Sequence, residues 1–231
     1  MSAVARAERP SAGDAVDRRA GVGEGFENLE KQAHAARLGM WLFLASELLF
    51  FAGFFALYAG YRVEHPRGFG LGVEHNTLAY GSINTAVLLL SSYTVALAVH
   101  ALRRGRNRAS AAWLGATIVL GFSFLGIKTA EYMHHFAEGI YPAGHGAFFL
   151  ENREAGLSMF FTLYFCMTGL HAVHVCVGIG ILSVLLVRVA RERIGAWAPH
   201  PLAIGAIYWH LIDIIWIFIW PIFYLVPGGV R

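Results

Sequence analysis

Seven ionisable residues lie inside apolar runs of this 231-residue chain, and six of them come in pairs. His171 and His174 stand three residues apart in GLHAVHVCVG, His210 and Asp213 in YWHLIDIIW, and Lys128 and Glu131 in KTAEY, while Glu47 stands alone in SELLFFAGFF. On a helix a spacing of three puts both members of a pair on one face. Three chemistries follow. Two imidazoles one turn apart reach a single metal ion if neighbouring helices supply further ligands. A series of carboxylates and imidazoles inside a membrane passes protons or ions. The same groups also pair with one another, holding helices or a lipid headgroup together. Two haems at different depths need two histidines on each of two helices, a pattern that an adjacent pair answered only by His210 does not supply.

The elements that carry these groups are membrane spans. Hydrophobic residues make up 57% of the chain and the mean hydropathy is +0.53, against about 45–50% apolar residues in a soluble domain. A span needs about 20 apolar residues. Five runs meet that length: Leu38–Tyr61, Leu78–Leu102, Ser110–Met133, Leu157–Val187 and Leu202–Val226. The expected fold is an all-α bundle of five transmembrane helices occupying residues 34–231. Residues 1–33 read as a mobile polar tail without the apolar core of a signal peptide, and Phe26–Arg37 as a short helix leading into the first span. No internal repeat is present. The link Met133–Gly156 is the longest, and Gly139 with Pro142 should end the third helix.

Basic residues predict the orientation. Thirteen Lys and Arg fall in the tail and in the links between spans two and three and between spans four and five; four fall on the opposite side. The expectation is a cytoplasmic N-terminus and an external C-terminus. With no basic cluster interleaved with aromatics, no nucleic-acid partner is expected. Cys166 and Cys176 lie about 15 Å apart along one helix, too far to bridge, and read as small apolar core residues. Gly169, Gly178 and Gly180 permit close helix approach.

Helical geometry arranges the polar groups as stripes. Phe160, Tyr164, Met167, His171, His174 and Gly178 share a face of span four; Ala206, His210, Asp213, Ile217 and Trp220 share one of span five. The second span carries Asn84 and Thr85, with His100 at its inner end. Glu47 is expected to pair with a histidine of span four, Asp213 with another basic partner, and Lys128 with Glu131 near the outer surface.

These segments resemble subunit III of the haem–copper terminal oxidases, the cytochrome c oxidase subunit 3 family. LASELLFFAGFFALY resembles its segment with a buried Glu, SINTAVLLLSSYTVALAVHAL its Asn-Thr segment and LGFSFLGIKTAEY its stretch ending in Glu-Tyr. TGLHAVHVCVG resembles its Gly-x-His-x-x-His motif and YWHLIDIIWIFIW its Trp-His-x-x-Asp-x-x-Trp motif. The chain lacks the first two spans of the seven-span form, and Lys128 stands where the family often has Gln.

The resemblance implies a subunit with no catalytic centre and no metal or haem of its own. Haem and copper belong to partner subunits I and II, which reduce oxygen and pump protons. Subunit III is implied to bind the side of subunit I, hold phospholipid and support proton uptake in the bacterial inner membrane. Glu47 matches the family's buried carboxylate, His171, His174, His210 and Asp213 its polar motif positions, and Glu131 its Glu-Tyr position. The electron donor to the complex is expected to be cytochrome c. Alternatives are a quinol oxidase subunit III, an accessory protein of nitric oxide reductase, and, from another class, a free-standing proton or ion conductor.

Overall fold

The computed structural model describes residues 29–226, and every regular element among them is helical. Seven helices follow in order: α1 Leu29–Glu64, α2 Pro66–His75, α3 Leu78–Arg103, α4 Asn107–Ala137, α5 Ala147–Glu151, α6 Leu157–Ala190 and α7 His200–Tyr224. A 3-10 turn at Pro142–Gly144 joins α4 to α5. Five of these helices, α1, α3, α4, α6 and α7, are long and apolar enough to cross a membrane. The expected tail boundary at residue 33 falls within α1, which is continuous from Leu29; residues 1–28 lie outside the described residues, as does most of the tail.

Local chemistry places the breaks. Gly105 adopts φ +71 just past α3, the left-handed position that glycine fills without a side-chain clash. After Ala137 ends α4, Gly139 takes φ +76 and begins the turn. Pro66 sits in the first turn of α2 and Pro201 in that of α7, where a missing N–H costs nothing.

Side-chain partners fix the packing. Thr94 of α3 meets Thr117 of α4, and Trp209 and Trp216 of α7 reach back to Ser91 and Thr85 of α3. Partner numbers fall on one helix as they rise on the other, so α3 and α7 are antiparallel. By contrast α1 runs parallel to α7, with Phe43 beside Tyr208, Phe55 beside Phe218 and Tyr58 beside Phe223. The start of α1 and the end of α7 therefore lie at opposite ends of the bundle.

Helix α1 attaches through a narrow seam. Leu44, Phe51 and Tyr58, seven residues apart, are buried, whereas Leu38, Trp41, Leu42, Leu48 and Leu49 are exposed. The seam fills the groove between α6 and α7. The Tyr58 hydroxyl donates to the Ile222 carbonyl at 2.6 Å, and Arg62 donates to the Val226 carbonyl at 2.7 Å.

Trp209 and Trp216, both fully buried, organise the core. A Cβ at Gly178 of α6 would stand 2.8 Å from the Trp209 ring, and one at Gly121 of α4 would stand 2.9 Å from it. These two glycines let three helices close on one indole. Gly180, by contrast, faces open space.

Two expectations about faces need correction. The α6 stripe is interior from Phe160 through His171 to Gly178, with His174 half-buried. On α7 the interior is held by Trp209, Ile212, Trp216, Ile219 and Phe223, while Ile217 of the expected stripe is 42% exposed. Indoles bury more apolar area than an imidazole, and their N–H groups find hydroxyls on α3, so they claim the interior. Cys166 and Cys176 are free thiols on the bundle's outer surface rather than core residues; the buried face of α6 runs through Tyr164, Met167, His171, Val175 and Gly178, and both thiols lie off it.

Candidate functional site

Lys128 sits at the centre of the most completely bonded cluster. Its Nζ donates to Glu131 Oε2 at 2.9 Å, to the Tyr164 hydroxyl at 2.8 Å and to the Tyr224 hydroxyl at 2.7 Å. An ammonium has three donors, and all three are used. The Tyr224 hydroxyl donates onward to Glu131 Oε1 at 2.6 Å, so both carboxylate oxygens are also met. Lys128 and Glu131 are both almost fully buried, and the ammonium lies 4.4 Å from the Tyr164 ring centroid. One turn along, Tyr132 and Thr168 share a 2.5 Å hydrogen bond. The cluster ties α4 to α6 and α7, and α4 continues six residues beyond Glu131. Lys128 and Glu131 thus bond each other in the interior of the bundle.

Glu47 of α1 meets His174 of α6. The His174 Nε2 is 3.0 Å from Glu47 Oε2, and its Nδ1 is 2.7 Å from the Leu170 carbonyl. A carbonyl only accepts, so Nδ1 carries a hydrogen. The bond to Glu47 then holds one proton, carried either by Nε2 or by the carboxyl. This dyad is half-buried on the flank where α1 joins α6.

His171, one turn away, does not join that dyad. Its ring is fully buried between Phe124 at 5.4 Å and Trp216 at 5.1 Å, and neither ring nitrogen has a hydrogen-bond partner among the described residues. The expectation of a basic partner for Asp213 is not met. Asp213 is 3% exposed, and no described group bonds to either carboxylate oxygen. Its polar neighbour is Ser92 of α3, whose hydroxyl is engaged 2.6 Å from His210 Nδ1. The register of α3 against α7 sets this meeting, which spacing within α7 does not encode. Asn84 is likewise buried with its amide unbonded. Thr85 accepts from Trp216 at 3.0 Å, and His100 is exposed.

Other groups carried little signal. Tyr164 lies on the expected α6 stripe, but Tyr224, Ser91 and Ser92 look like ordinary span residues. At one end of the bundle Glu138 bonds His75 at 2.8 Å, joining α2 to the end of α4, and stands 3.3 Å from His134. Among the described residues no three of His, Cys, Asp and Glu converge as metal ligands.

Comparison with known proteins extends this picture over the whole bundle. The family model for "Cytochrome c oxidase subunit III" matches residues 24–227. The chain is 33% identical to the cytochrome bo(3) ubiquinol oxidase subunit 3 of Pseudomonas aeruginosa, covering 88% of this chain and 91% of that one. It is 31% identical to the cytochrome c oxidase subunit 3 of Alkalihalophilus pseudofirmus, covering 93% and 98%, and 29% identical to the quinol oxidase subunit 3 of Bacillus subtilis, covering 87% and 93%. Five apolar helices, interior polar clusters between them and this match across the bundle lead to one conclusion: the chain is a multi-pass membrane protein of the cytochrome c oxidase subunit III family, a family of oxidase subunits.

Proposed function

We propose that this chain is the non-redox subunit III of a haem–copper terminal oxidase in a bacterial inner membrane. It binds the side of catalytic subunit I, stabilises that subunit, holds phospholipid and supports proton uptake. Haem and copper stay with the partner subunits. One observation carries this reading: two clusters of central ionisable groups join helices. Lys128 bonds α4 to α6 and α7, and Glu47 bonds α1 to α6. A bundle braced in this way suits a support for another subunit. The Glu47–His174 dyad holds one proton on an accessible flank, which suits assistance to proton uptake.

The electron donor to the complex is cytochrome c in this reading. The P. aeruginosa relative, named as a ubiquinol oxidase subunit, favours quinol as a second reading. Gentle purification of the tagged chain tests both. Co-purification of a large haem subunit with oxygen uptake from reduced cytochrome c supports the first, and oxygen uptake only from quinol supports the second. A haem-free chain that conducts protons alone in liposomes would overturn both and support a free-standing conductor.

A further inference from the structure

The membrane-facing hydroxyls of this bundle mostly satisfy themselves. Ser46, Ser123 and Thr129 are exposed, and each donates to a carbonyl one turn back on its own helix, at 2.7, 2.9 and 2.8 Å. Glu47 and His174 satisfy each other. The flank where α3 meets α7 is different. His210 is half-buried there, its Nδ1 held by Ser92, and no described group meets its Nε2. Asp213, buried one turn further on, has both oxygens unbonded. Beside them Tyr93 is 61% exposed, and no described group meets its hydroxyl. Helical geometry sets Leu89, Tyr93, His210, Ile214 and Ile217 around this one shelf, and all but His210 are exposed large side chains.

Depth decides what can cover it. His210 lies ten residues into α7, about 15 Å along its axis. A hydrocarbon core is about 30 Å thick, so the imidazole stands near its middle. Headgroups and bulk water stay at the edges, and acyl chains carry no hydrogen-bonding group. An unmet imidazole nitrogen at that depth is costly unless a protein group meets it.

We infer that the α3–α7 shelf centred on His210 is the face that seats against a transmembrane helix of a partner oxidase subunit, which presents a hydrogen-bonding side chain at mid-depth to His210 Nε2. This rests on the proposed role as an oxidase subunit and adds the contact face. Ser92 fixes the ring from behind, as groups behind a histidine commonly fix its orientation. His210 and Ser92 thus form a bonded pair that ends outward in an unused nitrogen, with the unbonded Asp213 buried beside it.

The test uses the complete complex in native membranes. A photo-reactive p-benzoylphenylalanine is placed at position 93 or 217, and adducts are identified by mass spectrometry. Adducts with an oxidase subunit at both positions are expected. Adducts with lipid only, with a second copy of this chain, or none, overturn the inference even when the complex co-purifies. Failure of the complex to co-purify overturns the subunit assignment itself. As a second measurement, His210→Leu should lower retention of this chain on the washed complex by about 3- to 15-fold, the range of one interhelical hydrogen bond. His210→Gln should restore much of it. Full retention of the Leu variant would also overturn the inference.

Discussion

Lys128 shows how a charge persists inside an apolar bundle. Its three donors and both Glu131 oxygens are used, so each desolvated charge meets a designed partner. Removing one member leaves the other stranded, which costs about 3–5 kcal/mol for a buried pair. Lys128→Met should therefore lower the thermal stability of the detergent-purified chain sharply. Lys128→Met with Glu131→Leu should recover much of that loss, because no charge is left unmet. A double variant no more stable than the single one would show that the pair does not act as a unit. Glu47 calls for a different result. Its dyad with His174 is half-buried, and a glutamine amide donates to Nε2 as well as a protonated carboxyl does. Glu47→Gln should keep the complex assembled yet lower proton uptake or shorten its lifetime during turnover, measured as oxygen consumption over repeated cycles. Loss of assembly would make the dyad purely structural.

At the scale of elements, the bundle depends on one indole held between two glycines. A leucine at 178 would drive its side chain into Trp209, and overpacking a tight core costs about 1–3 kcal/mol. A Cβ at Gly180, two residues along the same helix, meets nothing within 4 Å, so Gly180→Leu serves as the control. Gly178→Leu should lower thermal stability while Gly180→Leu leaves it nearly unchanged; equal effects would mean that helix propensity and not contact with Trp209 sets the outcome. The two glycines also mark what the sequence could and could not convey. Long apolar runs announce the helices, because about 20 such residues are needed to cross the hydrocarbon, and GLHAVH announces a polar stripe by its spacing. Spacing within α7 does not say which flank turns inward. That depends on the competition between Trp209 or Trp216 and His210 for the interior, and on hydroxyls of α3 more than a hundred residues earlier. Tyr224 as a partner of Lys128 is equally remote, 96 residues away.

For the molecule as a whole, the parallel run of α1 and α7 puts the start of the first helix and the end of the last at opposite ends of the bundle. The basic residues then predict which end faces the cytoplasm. Arg103, Arg104, Arg106 and Arg108 crowd the turn between α3 and α4, and Arg188, Arg191 and Arg193 the link from α6 to α7. Both links lie at the end where α1 begins, whereas Arg62, Arg67 and Arg153 are spread thinly over the other. Lys and Arg near short loops are retained on the cytoplasmic side, so the α3–α4 turn should face inward and the end of α7 outward. The Glu138–His75–His134 junction would then meet the external medium. An alkaline phosphatase fused after Arg231 should be active in cells, and one fused within the α3–α4 turn should be inactive; a green fluorescent protein at the same two points should give the reverse. The opposite pattern would turn the bundle over, place the Arg-rich turns outside and leave the positive-inside bias without effect on this chain.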